Sequence, residues 1–142
     1  MPRADAIVLD THIWLDVAIG RGRFLPRVLR RLNAAADAGT LCVAAITPWE
    51  VAMLARAGKI RIGEPLAAWL VAALTATRTA VAALEPEIAV DAVDLPAWKH
   101  GDPADRLIVA TARHLNALLV TRDGAILDYS EESKAVRTLE PG

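Results

Sequence analysis

The sequence predicts an α/β fold: a three-layer α/β/α sandwich around a central, mainly parallel sheet of four to five strands. Short apolar runs without polar alternation, such as Ile7–Leu9 and Leu118–Val120, are typical of strands buried on both faces. Helical segments separate these runs along the chain, which is the pattern of parallel strands joined by crossover helices. We expect residues 1–142 to form a single domain, because no linker or internal repeat divides them.

In the first half of the chain, two strands alternate with three helices. The strand Ile7–Leu9 is followed by residues 11–18, in which the apolar side chains recur at helical spacing. Residues 24–38 have the stronger amphipathic pattern of a surface helix. A second apolar run, residues 41–46, predicts a strand that leads into a helix beginning at Thr47.

The second half continues the alternation and supplies three more strands. Proline stands at the start of each of its helices, where the missing backbone N–H costs nothing. The predicted elements, in order, are a helix at 65–75, a strand at 79–84, a helix at Pro86–Val93, a helix at 104–115, a strand at Leu118–Val120 and a strand near 135–138.

The composition is that of a folded chain. Of its residues, 54% are hydrophobic and 23% are charged, which argues against global disorder. The net charge of −1 gives no overall basic field, so a nucleic-acid partner would be bound through local arginines or a metal ion. Cys42 is the only cysteine, which excludes a disulfide within the chain and a cysteine-rich metal site.

The location of the protein is predicted from two absences. No signal-peptide pattern precedes the first strand, and the longest apolar segment, residues 66–74, is too short to span a bilayer. We therefore expect a cytoplasmic protein without a membrane partner.

Carboxylates stand at three of the predicted strand-to-helix junctions, in the form of Asp10, Glu50 and Asp123. Asp105 adds a fourth from the first turn of another helix. Because the carboxyl ends of parallel strands lie along one edge of a sheet, we expect these side chains to converge. Each acid alone is also explained by helix capping, and Thr47 with Glu50 has the form of a capping box.

Four carboxylates at one edge repel one another unless a cation or raised pKa values offset their charge. Oxygen ligands without cysteine or histidine suit Mg²⁺ or Mn²⁺ better than zinc. The three histidines are dispersed along the sequence, and we interpret them as structural: His12, His100 and His114. The four acids thus predict a site for a hard divalent cation.

Four phrases of the sequence, in this order, carry a family resemblance: LDTHIWLD, TPWEVAML, GDPADRLIVATA and LLVTRDGAI. Together they resemble a PIN-domain ribonuclease, and in particular the bacterial VapC toxins of type II toxin–antitoxin modules. The resemblance extends from residue 7 to residue 123 and implies a PIN-like fold. It implies that the catalytic and metal-binding residues are Asp10, Glu50, Asp105 and Asp123, with Thr11 and Thr121 as supporting neighbours.

Asp102 and Asp105 compete for one position in this resemblance. The family phrase places the metal-binding acid directly before Arg106, which selects Asp105. Asp102 then becomes the N-cap of the following helix and a supporting residue beside the metal.

The resemblance implies a Mg²⁺-dependent endoribonuclease in which Mn²⁺ substitutes for Mg²⁺. Such an enzyme cleaves RNA phosphodiesters with a metal-activated water and leaves 5′-phosphate and 3′-hydroxyl ends. It acts as the toxin of a type II module, is held inactive by a cognate antitoxin protein, and usually forms a homodimer. The alternative is a catalytically inactive PIN-like module that only binds RNA or protein.

Two groups of arginines have two interpretations each. Arg106 and Arg122 flank the proposed acids, so they would bind RNA phosphates or pair with the neighbouring carboxylates. Arg27, Arg30 and Arg31 share the polar side of the helix at 24–38 and form either a solvated face or a docking surface for the antitoxin.

The four tryptophans are candidates for base stacking. Trp14, Trp49 and Trp69 recur among apolar residues at helical spacing, which favours the core, whereas Trp98 stands in a more open setting beside proline and lysine.

Other folds with an acid at a strand end fit less well. Haloacid-dehalogenase-like phosphotransfer enzymes need a second Asp two residues after the first, where this chain has His12. A dinucleotide-binding or P-loop site is disfavoured because no glycine-rich loop follows the first strand.

Overall fold

Seven helices surround five parallel strands in the computed structural model, which describes residues 5–142. The strands are β1 (Ile7–Leu9), β2 (Leu41–Ala44), β3 (Ala80–Ala82), β4 (Leu118–Val120) and β5 (Arg137–Leu139). The helices are α1 (Thr11–Ile19), α2 (Pro26–Ala38), α3 (Thr47–Arg56), α4 (Leu66–Ala76), α5 (Pro86–Val93), α6 (Pro103–His114) and α7 (Gly124–Ser133). The predicted α/β fold with a central parallel sheet is confirmed.

The strand order β3-β2-β1-β4-β5 places β1 at the centre of the sheet. From β1 the chain builds outward to β2 and β3, then returns through α5 and α6 to add β4 on the other side of β1. The order therefore reverses between β1 and β4, where Leu9 pairs with Val120. In open α/β sheets, ligands bind beyond the carboxyl ends of the strands at such a reversal.

The pleat of β1 divides the core into two layers, as the predicted sandwich requires. Val8 points toward the cluster formed with α5, α6 and α7, whereas Ile7 and Leu9 point toward the cluster formed with α1, α2 and α3. Trp14 fills the second cluster, and Trp69 of α4 packs edge-on against it with the ring centroids 6.0 Å apart. Trp14 lies in the core as predicted, whereas Trp69 is only partly buried and packs against the edge of the cluster.

Cys42 of β2 lies in the other core cluster, where only 8% of it is exposed. Burial raises the pKa of its thiol to about 11, so the group stays protonated and unreactive at neutral pH.

Trp49 is the exception among the tryptophans assigned to the core. It is 57% exposed on α3, and that part of the prediction is wrong. The helix buries Val51 and packs Leu54 against the core instead, which turns Trp49 and Met53 toward solvent. Helical spacing alone did not specify which side of the helix faces the sheet.

Strand β2 and helix α2 each differ from their predicted bounds at one end. Strand β2 stops at Ala44 because the next two residues turn and Ile46 already has helical dihedrals. Helix α2 starts at Pro26, since Leu25 is extended with φ −61° and ψ 141°.

No helix within residues 5–142 has the length and apolarity needed to cross a bilayer.

Candidate active site

A cavity of about 390 Å³ opens at the carboxyl ends of β1, β2 and β4. Its lining residues are Asp10, His12, Ile13, Asp16, Glu50, Asp102, Asp105, Arg122 and Asp123. The structure thus brings together the four acids singled out from the sequence, and with them Asp102. Six carboxylates share this cavity, and Arg122 is the one arginine or lysine among the residues that line it.

Asp10 is placed by the end of β1 and has two roles at once. Its Oδ1 accepts a hydrogen bond from the backbone N–H of Thr11 at 2.8 Å, which caps the start of α1. Its Oδ2 accepts a hydrogen bond from the hydroxyl of Thr121 at 2.7 Å. Thr121 is fully buried and directly follows β4, so the β1–β4 register places the two side chains beside each other.

Thr121 in turn accepts a hydrogen bond from the backbone N–H of Asp123 at 3.0 Å. A chain of hydrogen bonds therefore runs from the backbone of Asp123 through one hydroxyl to Asp10, and it fixes the orientation of the Asp10 carboxylate.

Glu50 is held by a second chain of hydroxyl groups. Thr11 donates its hydroxyl hydrogen to Glu50 Oε1 at 2.6 Å, and Thr47 Oγ1 lies 2.9 Å from Thr11 Oγ1. A hydroxyl has a single hydrogen, so Thr47 donates to Thr11. The predicted capping box is wrong, because no side chain caps α3. The Glu50 carboxylate is therefore turned to the cavity and not to its own helix.

Helices α6 and α7 bring the remaining acids to the cavity. Asp102 caps α6 by accepting from the backbone N–H of Ala104 at 2.9 Å, as predicted, and Asp105 follows in the first turn. Asp123 caps α7 by accepting from the backbone N–H of Ile126 at 3.1 Å. The positive ends of α1, α3, α6 and α7 therefore all face this acidic cavity and favour its negative charge.

The pKa values of three acids record the crowding of negative charge. Burial, followed by the charges of Asp102 and Asp123, raises the pKa of Asp105 to about 7. Burial also raises the pKa of Asp10 and of Glu50, while hydrogen bonds from threonine hydroxyls act against the rise. The cavity therefore contains more negative charge than its surroundings stabilise.

The donor set of this cavity fits a hard divalent cation, because it offers carboxylate and hydroxyl oxygens and excess negative charge. Within residues 5–142, however, no three acidic, histidine or cysteine side chains are already arranged as ligands of one ion. Hydrogen bonds from the hydroxyls of Thr121 and Thr11 already engage one oxygen of Asp10 and one oxygen of Glu50. A hard divalent cation of this kind keeps several of its waters and needs only one or two direct carboxylates, so it would not require three ligands arranged in advance.

The two arginines that flank the acids have different positions. Arg122 lines the cavity, whereas Arg106 does not. The guanidinium of Arg106 donates to the backbone carbonyls of Ala92 and Val93 at the end of α5, at 3.4 and 3.3 Å. Of the two, only Arg122 is placed to meet a ligand of the acidic cavity.

His12 and Asp16 also line the cavity, and neither was assigned to it from the sequence. They lie four residues apart on α1 and so share one helix face, which is the signal that would have found them. The sequence predicts a structural role for His12, but its side chain is exposed and, when charged, lowers the pKa of Asp10 and of Glu50.

The chain is similar in sequence to known proteins over most of its length. The model of the family described as PIN domain matches residues 7–132. Ribonuclease VapC22 of Mycobacterium tuberculosis (strain ATCC 25618 / H37Rv) is 41% identical over 119 residues, which cover 82% of this chain and 86% of that protein.

Two solved structures share the fold. VapBC2 from Rickettsia felis, bound to a DNA fragment from their promoter, superposes with a TM-score of 0.67 and 17% identity and covers 95% of this chain and 98% of its own. FitAcB from Neisseria gonorrhoeae superposes with a TM-score of 0.58 and 21% identity, and the match covers 95% of this chain and 97% of that chain. At these identities the likeness concerns the fold alone.

Proposed function

Since the chain belongs to the PIN-domain family, we propose that it is a Mg²⁺-dependent endoribonuclease and the toxin of a type II toxin–antitoxin module. The observation that carries this proposal is the gathering of Asp10, Glu50, Asp105 and Asp123 in one cavity at the sheet reversal. The family relative VapC22 is itself a ribonuclease. RNA is therefore the substrate proposed for this chain.

In this proposal Asp10, Glu50 and Asp105 hold the cation, and Asp123 stands at the edge of the ligand set. When bound, Mg²⁺ lowers the pKa of a coordinated water and neutralises the negative charge that develops on the phosphate. Thr121 orients Asp10 by donating to it, and this hydrogen bond favours the charged carboxylate against the effect of burial. Burial and the neighbouring carboxylates raise the pKa of Asp105 to about 7, and a bound cation would favour its charged form.

The alternative function is a PIN-like module that binds RNA or protein without cleaving it. Loss of one or more acids would favour this alternative, yet all four are present and line the same cavity. The hydroxyl groups that orient two of them are present as well. These observations favour the active nuclease.

We expect Mg²⁺ to be required for RNA cleavage by the purified protein. Excess EDTA should abolish cleavage, and added Mg²⁺ or Mn²⁺ should restore it, because the acidic cavity without a cation repels the phosphodiester. Sequencing of cleaved cellular RNA should locate the sites and identify 5′-phosphate and 3′-hydroxyl ends. Cleavage that persists in EDTA and leaves 2′,3′-cyclic phosphates would exclude this mechanism.

We further propose a cognate antitoxin protein as a partner and a homodimer as the assembled form. The support is the shared fold with VapBC2, which was solved with bound promoter DNA, and the resemblance to VapC toxins. On α2, the arginine face of Arg27, Arg30 and Arg31 is exposed, and the neighbouring Leu29 is 42% exposed. A surface that combines cations with an exposed apolar side chain suits an acidic, partly apolar protein segment.

Charge reversal of this arginine face should weaken antitoxin binding at least about tenfold, because attractive charges become repulsive. RNA cleavage by the same Arg27→Glu/Arg30→Glu/Arg31→Glu variant should change less than about threefold, since none of the three lines the acidic cavity. Binding is measured by titrating each variant with the purified protein encoded by the neighbouring gene, which is the candidate antitoxin. The control is Lys134→Glu/Arg137→Glu at the amino end of β5. If both activities are unchanged, the arginines form only a solvated face.

A further inference from the structure

Asp16 differs from the other carboxylates of the acidic cavity because two arginines neutralise it. Its Oδ1 accepts from Arg21 Nε at 2.7 Å, and its Oδ2 accepts from Arg122 Nη1 at 2.9 Å. The Asp16 side chain is only 13% exposed, whereas those of Arg21 and Arg122 are 50% and 31% exposed. The carboxylate is thus the buried anchor of two guanidinium groups that still reach solvent.

The guanidinium of Arg122 is fixed from three sides. Besides its bond to Asp16, it donates to the backbone carbonyl of Arg23, and its carbon lies 5.1 Å from the centre of the Phe24 ring. Five N–H groups are available on a guanidinium, so these contacts leave donors free. Arg122 is therefore held in one orientation at the edge of the acidic cavity.

The turn between α1 and α2 closes tightly around Asp16. Gly22 has φ +85°, and a Cβ at this position would lie 2.8 Å from Asp16 Oδ2. The backbone N–H of Arg21 also donates to the carbonyl of Asp16 at 2.9 Å. The positive φ and the lack of space both favour glycine at this position, so the turn is shaped to fit this carboxylate.

Arg21 extends the cationic surface away from the acids. It lines a smaller neighbouring cavity of about 190 Å³ together with Lys59 and Arg61, and no carboxylate contributes to that lining. The pair Arg21 and Arg122 thus stands between an acidic cavity that would hold a cation and a cavity lined by positive charge. This sequence of charges suits an RNA strand, with a cation at the cleaved phosphate and arginines at the next phosphates.

We propose that Asp16 is a positioning residue for RNA binding, which holds the guanidiniums of Arg122 and Arg21 where they contact the phosphates adjacent to the cleaved bond. The inference rests on the proposed ribonuclease function. It assigns Asp16 a role different from that of the neighbouring acids: it orients arginines and does not hold the cation.

The direction in which Asp16→Ala changes the affinity for RNA distinguishes the positioning role from a simple charge effect. Removing the negative charge of Asp16 makes the surface more positive, which by itself tightens RNA binding. Losing the orientation of two arginines weakens it. We therefore expect Asp16→Ala to weaken binding about tenfold in spite of the added positive charge.

Binding is measured by fluorescence anisotropy with a short fluorescein-labelled single-stranded RNA in Mg²⁺ buffer. All proteins contain Asp10→Asn, so that the probe is not cleaved. The slope of log affinity against log salt should fall by roughly 0.7 for each phosphate that the variant no longer neutralises. Asp16→Asn, which keeps the shape of the side chain and one acceptor oxygen, should lose less affinity and guards against misfolding of the alanine variant.

Asp37→Ala is the matched control. It also removes one negative charge and the carboxylate partner of an arginine, Arg78, but it lies outside both cavities. It should leave binding unchanged or tighten it slightly. In an Arg122→Ala background, Asp16→Ala should cost less than about threefold, because its main target is gone.

Tighter binding by Asp16→Ala would identify Asp16 as a charge that masks the arginines and would overturn the proposal. A second result would also overturn it: unchanged RNA binding by Asp16→Ala, together with complete loss of cleavage when Asp16→Ala is made in the protein that retains Asp10. That result would make Asp16 part of the cation site. In the protein that retains Asp10, the positioning role predicts that Asp16→Ala raises the KM for RNA and leaves kcat nearly unchanged. If no RNA is cleaved even by the native protein, the ribonuclease proposal fails, while the binding comparison still tests Asp16.

Discussion

Replacing Asp10 with Asn should reduce metal-dependent RNA cleavage roughly a thousandfold, about 4 kcal/mol of transition-state stabilisation. Asp10 is the most buried of the proposed cation ligands, with 7% of it exposed. Its hydrogen bond from Thr121 links the ends of β1 and β4 at the sheet reversal. Asparagine keeps the shape and one acceptor oxygen, which can still cap α1. It lacks the negative charge that attracts the cation.

The measurement is single-turnover cleavage in saturating Mg²⁺, together with thermal unfolding of both proteins. Asp37→Asn serves as the control, because it removes a carboxylate from an exposed ion pair far from the cavity. We expect the control to cleave like the native protein. Equal cleavage by the native protein and by Asp10→Asn would instead point to a contaminating nuclease and would remove the support for the mechanism.

The Asp105→Asn substitution should have two opposite effects. It should lower cleavage at least about a hundredfold, since a proposed cation ligand is lost. It should also raise the unfolding temperature of the metal-free protein at pH 8 by roughly 2–4 °C. The reason is that Asp105 must ionise at this pH among other negative charges, whereas asparagine has no charge to accommodate. Half-burial and solvent screening limit this effect to about 1 kcal/mol.

The direction of the pH effect follows from the two pKa values of Asp105. Its pKa is about 7 in the folded chain against an ordinary 3.8, so the folded state binds the proton more tightly than the unfolded state. The contribution of this group to stability is fully present below about pH 4 and is lost as the pH rises through 7. Mg²⁺ should restore stability above pH 7, because it replaces the proton.

Thermal unfolding between pH 5 and pH 8, with EDTA or with Mg²⁺, measures these effects. The native protein in EDTA should lose stability over this range relative to Asp105→Asn, and Mg²⁺ should reduce the difference. An identical pH profile for the two proteins in EDTA would contradict the raised pKa. Mg²⁺ that stabilises Asp105→Asn as strongly as the native protein would show that Asp105 is not a ligand.

The parallel sheet, and the edge at which the acids meet, could be predicted because both depend on local patterns. A buried apolar run marks a strand, and an acid after it marks a strand end, so the convergence of Asp10 and Asp123 followed from the alternation alone. Asp102 as the cap of α6 followed in the same way from the proline after it.

What the sequence could not predict depends on contacts between distant segments. The capping-box interpretation of Glu50 used residues within one turn, whereas its actual partner, Thr11, lies 39 positions earlier. Arg122 is 106 residues from its partner Asp16. Trp49 and Arg106 show a further limit, because helical spacing predicts a helix face but not the direction in which that face is turned.

The reversal of strand order between β1 and β4 has a consequence for protein synthesis. A chain translated as far as α5 already contains Asp10 and Glu50, but Thr121 and the acids of α6 and α7 do not yet exist. Since β4 lies beside β1 in the sheet, the cavity cannot be complete before α6, β4 and the start of α7 have been made. A growing chain on the ribosome is therefore expected to leave nearby RNA intact until its second half has been made.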